Sequence, residues 1–230
     1  MTAIAPKTRT DGKPRAKRVW DLPTRLFHWL LVALLAFSWW SAKNEELDWH
    51  FWSGFAVLTL LLFRLLWGLF GSSTARFASF VRGPRGVLAY LRDERGWKAP
   101  GHTPLGALSV VALLLVIALQ VGLGLFATDH DGLNSGPLAG LISGDASDAA
   151  ADIHETLFNV LLGLIGLHLA AITYYRLFRG KKLIRPMITG RSDAVDDGMR
   201  PGKWWAALLC LAVALAITRW IVAGAPPFGP

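Results

Sequence analysis

Apolar residues are concentrated in five runs of about twenty, separated by polar, charged or glycine- and proline-broken stretches. The runs extend from about Leu22 to Ser41, Trp49 to Leu69, Thr103 to Ala127, Asp152 to Tyr175 and Trp204 to Val222. As a helix, each is long enough to cross roughly 30 Å of hydrocarbon. A length of 230 residues alone would also fit one soluble domain. The length of the runs instead predicts an all-α integral membrane protein with five spans. Pro23 is tolerated in a first helical turn, and Thr24 is placed to act near the cap of the first span. Residues 72–101 interleave Phe77, Phe80, Val87, Leu88 and Leu91 with Arg76, Arg82, Arg85, Arg92 and Arg95, broken at Gly83-Pro84. That pattern predicts short amphipathic pieces lying on a membrane surface. Residues 1–19 are polar and basic and are expected to form a disordered tail.

Composition strengthens the membrane assignment. Mean hydropathy is positive, and the 11 tryptophans suit a protein with two interfaces to anchor. The single cysteine, Cys210, lies in an apolar run, which excludes a disulfide framework, covalent c-type haem and a thiolate zinc site. A net charge of +8 would be compatible with nucleic acid, but its distribution argues otherwise. The segment through Arg25, the stretch from Arg64 to Lys98 and the stretch from Arg176 to Lys203 hold 7, 7 and 8 of the 24 lysines and arginines. Only Lys43 and Arg219 belong to the opposite side, so the positive-inside rule predicts a cytoplasmic N-terminus and an outer C-terminus. The first run follows a basic segment, as a signal peptide would. It ends in bulky Trp39-Trp40 with no small-x-small site, and is expected to be retained.

Ionisable residues inside spans need an explanation. His154 and His168 share the fourth run, fourteen residues apart, which places them within roughly 40° on one helical face and about 21 Å apart along it. With the predicted orientation, His154 and His50 lie at the outer level and His168 and His28 at the inner one. Two imidazoles at each level, with no open iron position, suit two stacked low-spin haems used for electron transfer. Gly54, one turn from His50 on the same face, would leave room for a flat macrocycle. Arg64, fourteen residues past His50, either snorkels to the headgroups or pairs with a haem propionate. His102 sits at a span boundary and reads first as an interfacial or capping residue, and His130 as a solvated loop residue. Zinc would want four ligands, and none beyond each pair is evident. A histidine-using transporter without haem would normally employ buried acids, and Glu155 alone lies in a span's first turn.

The run Val19-Trp-Asp-Leu-Pro-Thr-Arg-Leu-Phe-His28-Trp, then His50-x-x-x-Gly54, Arg64-Leu-Leu-Trp67-Gly68, Gly101-His-Thr-Pro-Leu-Gly106 and the His154/His168 helix together resemble the bacterial cytochrome b561 family. That family includes the b-type cytochrome subunits of nickel-iron hydrogenases. The resemblance covers roughly residues 18–190. It implies a dihaem four-helix transmembrane core over 20–190, with two b haems on His28, His50, His154 and His168 and with quinone as an electron-exchange partner. Residues 191–230 would be a linker and a fifth transmembrane helix beyond that core. Arg64, Arg25 and His102 are the inner-side candidates for a quinone pocket.

The expected function is electron transfer across a bacterial inner membrane, between a quinone pool and a periplasmic redox partner or a small oxidant or reductant such as superoxide. The acidic link from Thr128 to Asp152 would suit a basic c-type cytochrome, or would simply avoid positive charge on the translocated side. The alternatives are an anchor cytochrome for a hydrogenase or other periplasmic dehydrogenase and, in another class, the haem-free transporter.

Overall fold

The computed structural model describes residues 16–94, 101–129, 131–193 and 198–226. The basic segment through Arg15, the residues Arg95 and Lys98, His130 and residues 227–230 lie outside the described residues. In chain order the elements are β1 (Lys17–Arg18), α1 (Leu22–Lys43), α2 (Leu47–Phe70), α3 (Phe77–Phe80), α4 (Pro84–Arg92), α5 (Pro104–Phe126), α6 (Gly144–Phe178), α7 (Ile184–Thr189), β2 (Arg191–Ser192) and α8 (Trp204–Val222), with one turn of 3-10 helix at Ala139–Leu141. Among the described residues, α1, α2, α5, α6 and α8 are long and apolar enough to cross a membrane. The protein is all-helical in its main body and multi-pass, as the apolar runs predicted.

Four of the five long helices begin and end within a few residues of the runs that predicted them. The fourth does not: α6 starts at Gly144, eight residues before Asp152, so Asp145, Asp148 and Asp152 lie on helix rather than in a loop. The reason is local. Ser143 caps the helix by accepting from the Ala146 N–H at 3.3 Å, Asp145 sits favourably at the positive end of the dipole, and alanine fills positions 149–151. Hydropathy does not register this extension, because it is polar. At the start of α1 the capping group is Asp21, whose carboxylate accepts from the Thr24 N–H at 2.6 Å; Thr24 itself is the third helical residue and not the cap. The basic stretch after α2 forms two short helices, α3 and α4, on either side of Gly83.

The helices pair as two hairpins, α1 with α2 and α5 with α6. α2 also packs on α5 and, along another face, on α8. α1 and α6 hardly touch one another. The common core is drawn from Phe27, Leu31, Val57, Leu61, Ile117 and Leu161, extended on the α8 side by Cys210 and Ala214. Within it, Thr59 donates to Thr218 at 2.9 Å, a buried bond that fixes the register of α8 against α2.

At the end of the bundle carrying His28, the connections between helices are knitted together. β1 and β2 form an antiparallel pair, Val19 N–H donates to Gly190 O at 2.8 Å, Met199 N–H to Arg18 O at 2.7 Å, and Thr74 Oγ1 to Val19 O at 2.7 Å. Of the segment expected to be a disordered tail through residue 19, the part within the described residues is ordered, because Lys17 and Arg18 find backbone partners and Val19 is buried. Asp21 completes this layer by accepting from Trp67 Nε1 at 3.1 Å with its second oxygen. Glu94, after α4, pairs with Arg179 and with Lys181 at 3.2 Å, tying the end of α6 to the surface helices.

One carboxylate thus caps α1 and satisfies a buried indole. Asp21→Ala removes the cap, which is worth about 1 kcal/mol, and leaves Trp67 N–H without an acceptor, which costs about 1–3 kcal/mol. The thermal unfolding midpoint in detergent should fall by several degrees, and an unchanged midpoint would contradict the role assigned to Asp21.

Candidate functional site

The helices bring His50 and His154 together. His50 is the fourth residue of α2 and His154 lies three turns into α6; their ring centroids are 6.1 Å apart and their planes are nearly perpendicular, at 87°. Each ring is oriented through Nδ1. That of His50 lies 2.9 Å from Ser38 O and that of His154 lies 2.8 Å from Gln120 O. A carbonyl only accepts, so both Nδ1 atoms carry the proton. Nε2 is then the nitrogen of each ring left to ligate a metal. Gln120 returns a bond from its side-chain NH2 to His154 O at 2.9 Å, so α5 clamps this stretch of α6 in two directions. The clamp needs Gly124, where a Cβ would lie only 3.0 Å from His154 Cε1. Gly54, one turn from His50, has nothing within 4 Å of where its Cβ would stand, which leaves open space beside the pair. Imidazole nitrogens placed about 2 Å on either side of one metal ion put their ring centroids about 6 Å apart. The observed separation matches that arrangement.

The second cluster lies at the other end of the same helices. His28 on α1 and His168 on α6 are near enough to interact electrostatically, although their helices are held apart. The His28 ring stands edge-on to Trp29 at 4.9 Å with a buried Nδ1 that has no partner, and His168 Nδ1 is 3.4 Å from Ser109 Oγ. Arg64 faces the protein. It is 3 % exposed, its guanidinium lies over the Phe77 ring at 4.5 Å, and Nη1 is buried without a hydrogen-bond partner. Of the two expectations for Arg64, snorkelling to the headgroups does not occur, because the Phe77 ring and the interhelix connections at this end cover the side chain.

His102 proves to be a member of this cluster and not an interfacial cap; Thr103 caps α5 instead, accepting from Gly106 N–H at 3.1 Å. The His102 ring is clasped between Trp20 and Phe80, each at 4.6 Å, and its Nδ1 is buried without a partner. Burial, followed by the Arg64 guanidinium and the neighbouring His168 and His28, pushes it down to about 3. Arg25, the other inner-side candidate, donates to Ile188 O, while Trp29 Nε1 donates to Met187 O at 3.2 Å, so α7 docks beside His28.

Sequence reasoning missed Ser38 and Gln120 as orienting groups, and Trp20 and Phe80 as the clasp on His102. A glutamine in the middle of an apolar run was a usable signal, since a side-chain amide in a span seeks a partner. Ser38 meets His50 Nδ1 through its backbone carbonyl at 2.9 Å and also brings its hydroxyl to 3.2 Å; a serine in an apolar run was a weaker signal of the same kind.

The two levels together present four imidazoles, an unfilled space at Gly54 and a buried guanidinium nitrogen lacking an acceptor. Among the described residues, no group of three or more His, Cys, Asp or Glu side chains converges on one point. Paired imidazoles with a nearby cation fit a flat, metal-bearing, anionic macrocycle. The comparisons with known proteins point the same way. A family model described as prokaryotic cytochrome b561 matches residues 19–190, whose two end residues are the hydrogen-bonded Val19 and Gly190. No curated protein and no solved structure matched.

His102 sets a pH dependence. It is neutral in the folded chain down to about pH 3, whereas its ordinary value is 6.5. Between those limits the unfolded chain binds the extra proton, so folding stability falls as pH drops below 6.5, by up to about 1.4 kcal/mol per pH unit from this group. His102→Phe keeps an aromatic ring between Trp20 and Phe80 and should flatten the decline of the unfolding midpoint between pH 7 and 5. Parallel slopes for variant and parent would contradict this.

Proposed function

We propose, since the chain belongs to the prokaryotic cytochrome b561 family of haem-binding membrane electron-transfer proteins, that it holds two haem b groups and carries electrons across the bacterial inner membrane between quinone and a periplasmic partner. The observation that carries this reading is the His50/His154 pair, with its metal-compatible separation and both Nδ1 atoms anchored on carbonyls. His50 and His154 would hold one haem, and His28 and His168 the other. Bound there, haem would supply a one-electron couple, and each pair of imidazoles would serve to hold its iron.

The protein's own residues account for the rest. Ser38 and Gln120 fix the tautomer and the ring direction of the outer ligands. Gly54 and Gly124 leave the space that a side chain would fill. Arg64 offers its unpartnered nitrogen to an inner carboxylate, the propionate pairing anticipated from its spacing. Leu161, 1 % exposed, stands seven residues from each histidine of α6 and packs with Val57, Leu61 and Ile117 to keep water out of the interval between the sites. With the basic flanks in the cytoplasm, His28 and His168 form the inner site and the C-terminus is periplasmic.

The part of α6 before His154 supports a protein partner on the outer side. It raises Asp145, Asp148 and Asp152 on a helical stem about 15 Å long, a shape suited to docking a basic c-type cytochrome or a dehydrogenase subunit. Quinone exchange belongs at the opposite end, around Arg25, Arg64 and His102.

Alanine substitution of the four histidines tests the pairing. In reduced-minus-oxidised spectra, His50→Ala and His154→Ala should remove one and the same b-type component, while His28→Ala and His168→Ala should remove the other. Loss of the same component in His154→Ala and His168→Ala would refute the two-level assignment, and a parent protein without any b-type band would leave the transporter reading. Arg64→Gln should lower the reduction potential of the component lost in His168→Ala, because a nearby cation favours the reduced, less positive haem. Redox titration that shows no change in that component would contradict the propionate role.

A further inference from the structure

The chain after the family unit builds a second feature that electron transfer does not use. At the His28 end, the loop following α2 and the strand-like segment before α8 are zipped together: Ser73 N–H donates to Arg200 O at 3.0 Å, and Arg200 N–H donates to Ser73 Oγ at 2.9 Å. Gly202 makes the approach possible, since a Cβ there would stand 2.7 Å from the Trp67 ring and 2.9 Å from Ser72 N. Beside this seam is a notch of about 510 Å³ between the end of α2 and the first turns of α8.

Its lining has two characters. Arg76, Arg200 and Lys203 gather at the polar edge, while Phe70, Trp205 and Leu209 line the apolar part and are themselves open to the membrane side. Among the described residues none of the three cations is paired with a carboxylate, and Lys203 instead lies over the Trp205 ring at 5.5 Å. Three cations gathered at a helix-end interface, above an apolar groove that runs along two membrane helices, are complementary to a group with an anionic head and an apolar tail. A membrane phosphodiester meets both requirements. Free phosphate would leave the apolar wall unused, and a neutral quinone would leave the cations unpaired.

We propose that this notch is a binding site for an anionic phospholipid, its phosphate held by Arg76, Arg200 and Lys203 and its acyl chains lying on Phe70, Trp205 and Leu209. The lipid joins α8 to α2 at one end, as the Thr59–Thr218 bond joins them in the middle.

Native mass spectrometry of the delipidated full chain in detergent, titrated with phosphatidylglycerol, phosphatidylcholine or inorganic phosphate, tests the proposal. Phosphatidylglycerol should be retained at one copy in preference to phosphatidylcholine. Retention should fall on the order of tenfold in an R76Q/K203Q double variant. A K182Q/R185Q variant, with the same loss of charge outside the notch, should retain the lipid as the parent does. Equal retention in R76Q/K203Q and the parent, equal losses in both double variants, or displacement of the lipid by millimolar phosphate would overturn it. If R76Q/K203Q fails to fold, Leu209→Trp, which fills the apolar part from the exposed face, replaces it with the same expectation of reduced retention.

Discussion

The unbroken backbone ladder of α6 is the constraint on which the arrangement depends. A helix advances 1.5 Å per residue whatever its surroundings, so two imidazoles fourteen positions apart stand about 21 Å apart on nearly the same face. The rest of the bundle answers that ruler. α1 and α2 run in opposite directions, which brings His28 to one level and His50 to the other. α5 lies along α6 and clamps it at Gln120 and Gly124. α1 and α6 are kept from close packing, so the faces that carry His28 and His168 do not pack on one another. Apolar packing centred on Leu161 then fills the interval midway between the levels.

Burial of polar groups has a consistent direction in this protein. Arg64 and His102 are both removed from solvent with nitrogens that lack partners, while nearby Asp21 is saturated by the α1 backbone and Trp67. Leaving a guanidinium nitrogen unpaired in a protein interior is costly. Such a group is retained where an anionic ligand completes it, and a haem carboxylate at the inner level does so on the proposed reading. The His50/His154 level has its rings oriented by main-chain carbonyls instead.

The spans and the histidine levels were legible in the sequence because both rest on periodicity and length, which tertiary structure does not alter. The additional turns of α6 were not, because Asp145, Asp148 and Asp152 look like loop to a hydropathy reading even though Ser143 and the alanines around them favour helix. Arg64 had two conformations open to it on sequence grounds, and only the position of Phe77 decides between them. His102 looked like a boundary residue because its neighbours in sequence are turn formers, whereas its burial comes from Trp20 and Phe80, residues distant along the chain. The order in β1 was hidden for a similar reason: its partner is β2, more than 170 residues later. Nothing in residue type sets Gly124 apart, and its specific duty toward His154 emerges only from the approach of two helices.

The central claim is that one chain presents two complete bis-imidazole sites on a shared helix. Quantifying haem b as its pyridine complex against protein mass, on the full chain purified from haem-replete cells, tests it most directly. The account predicts two haems per chain; one haem or none would contradict it.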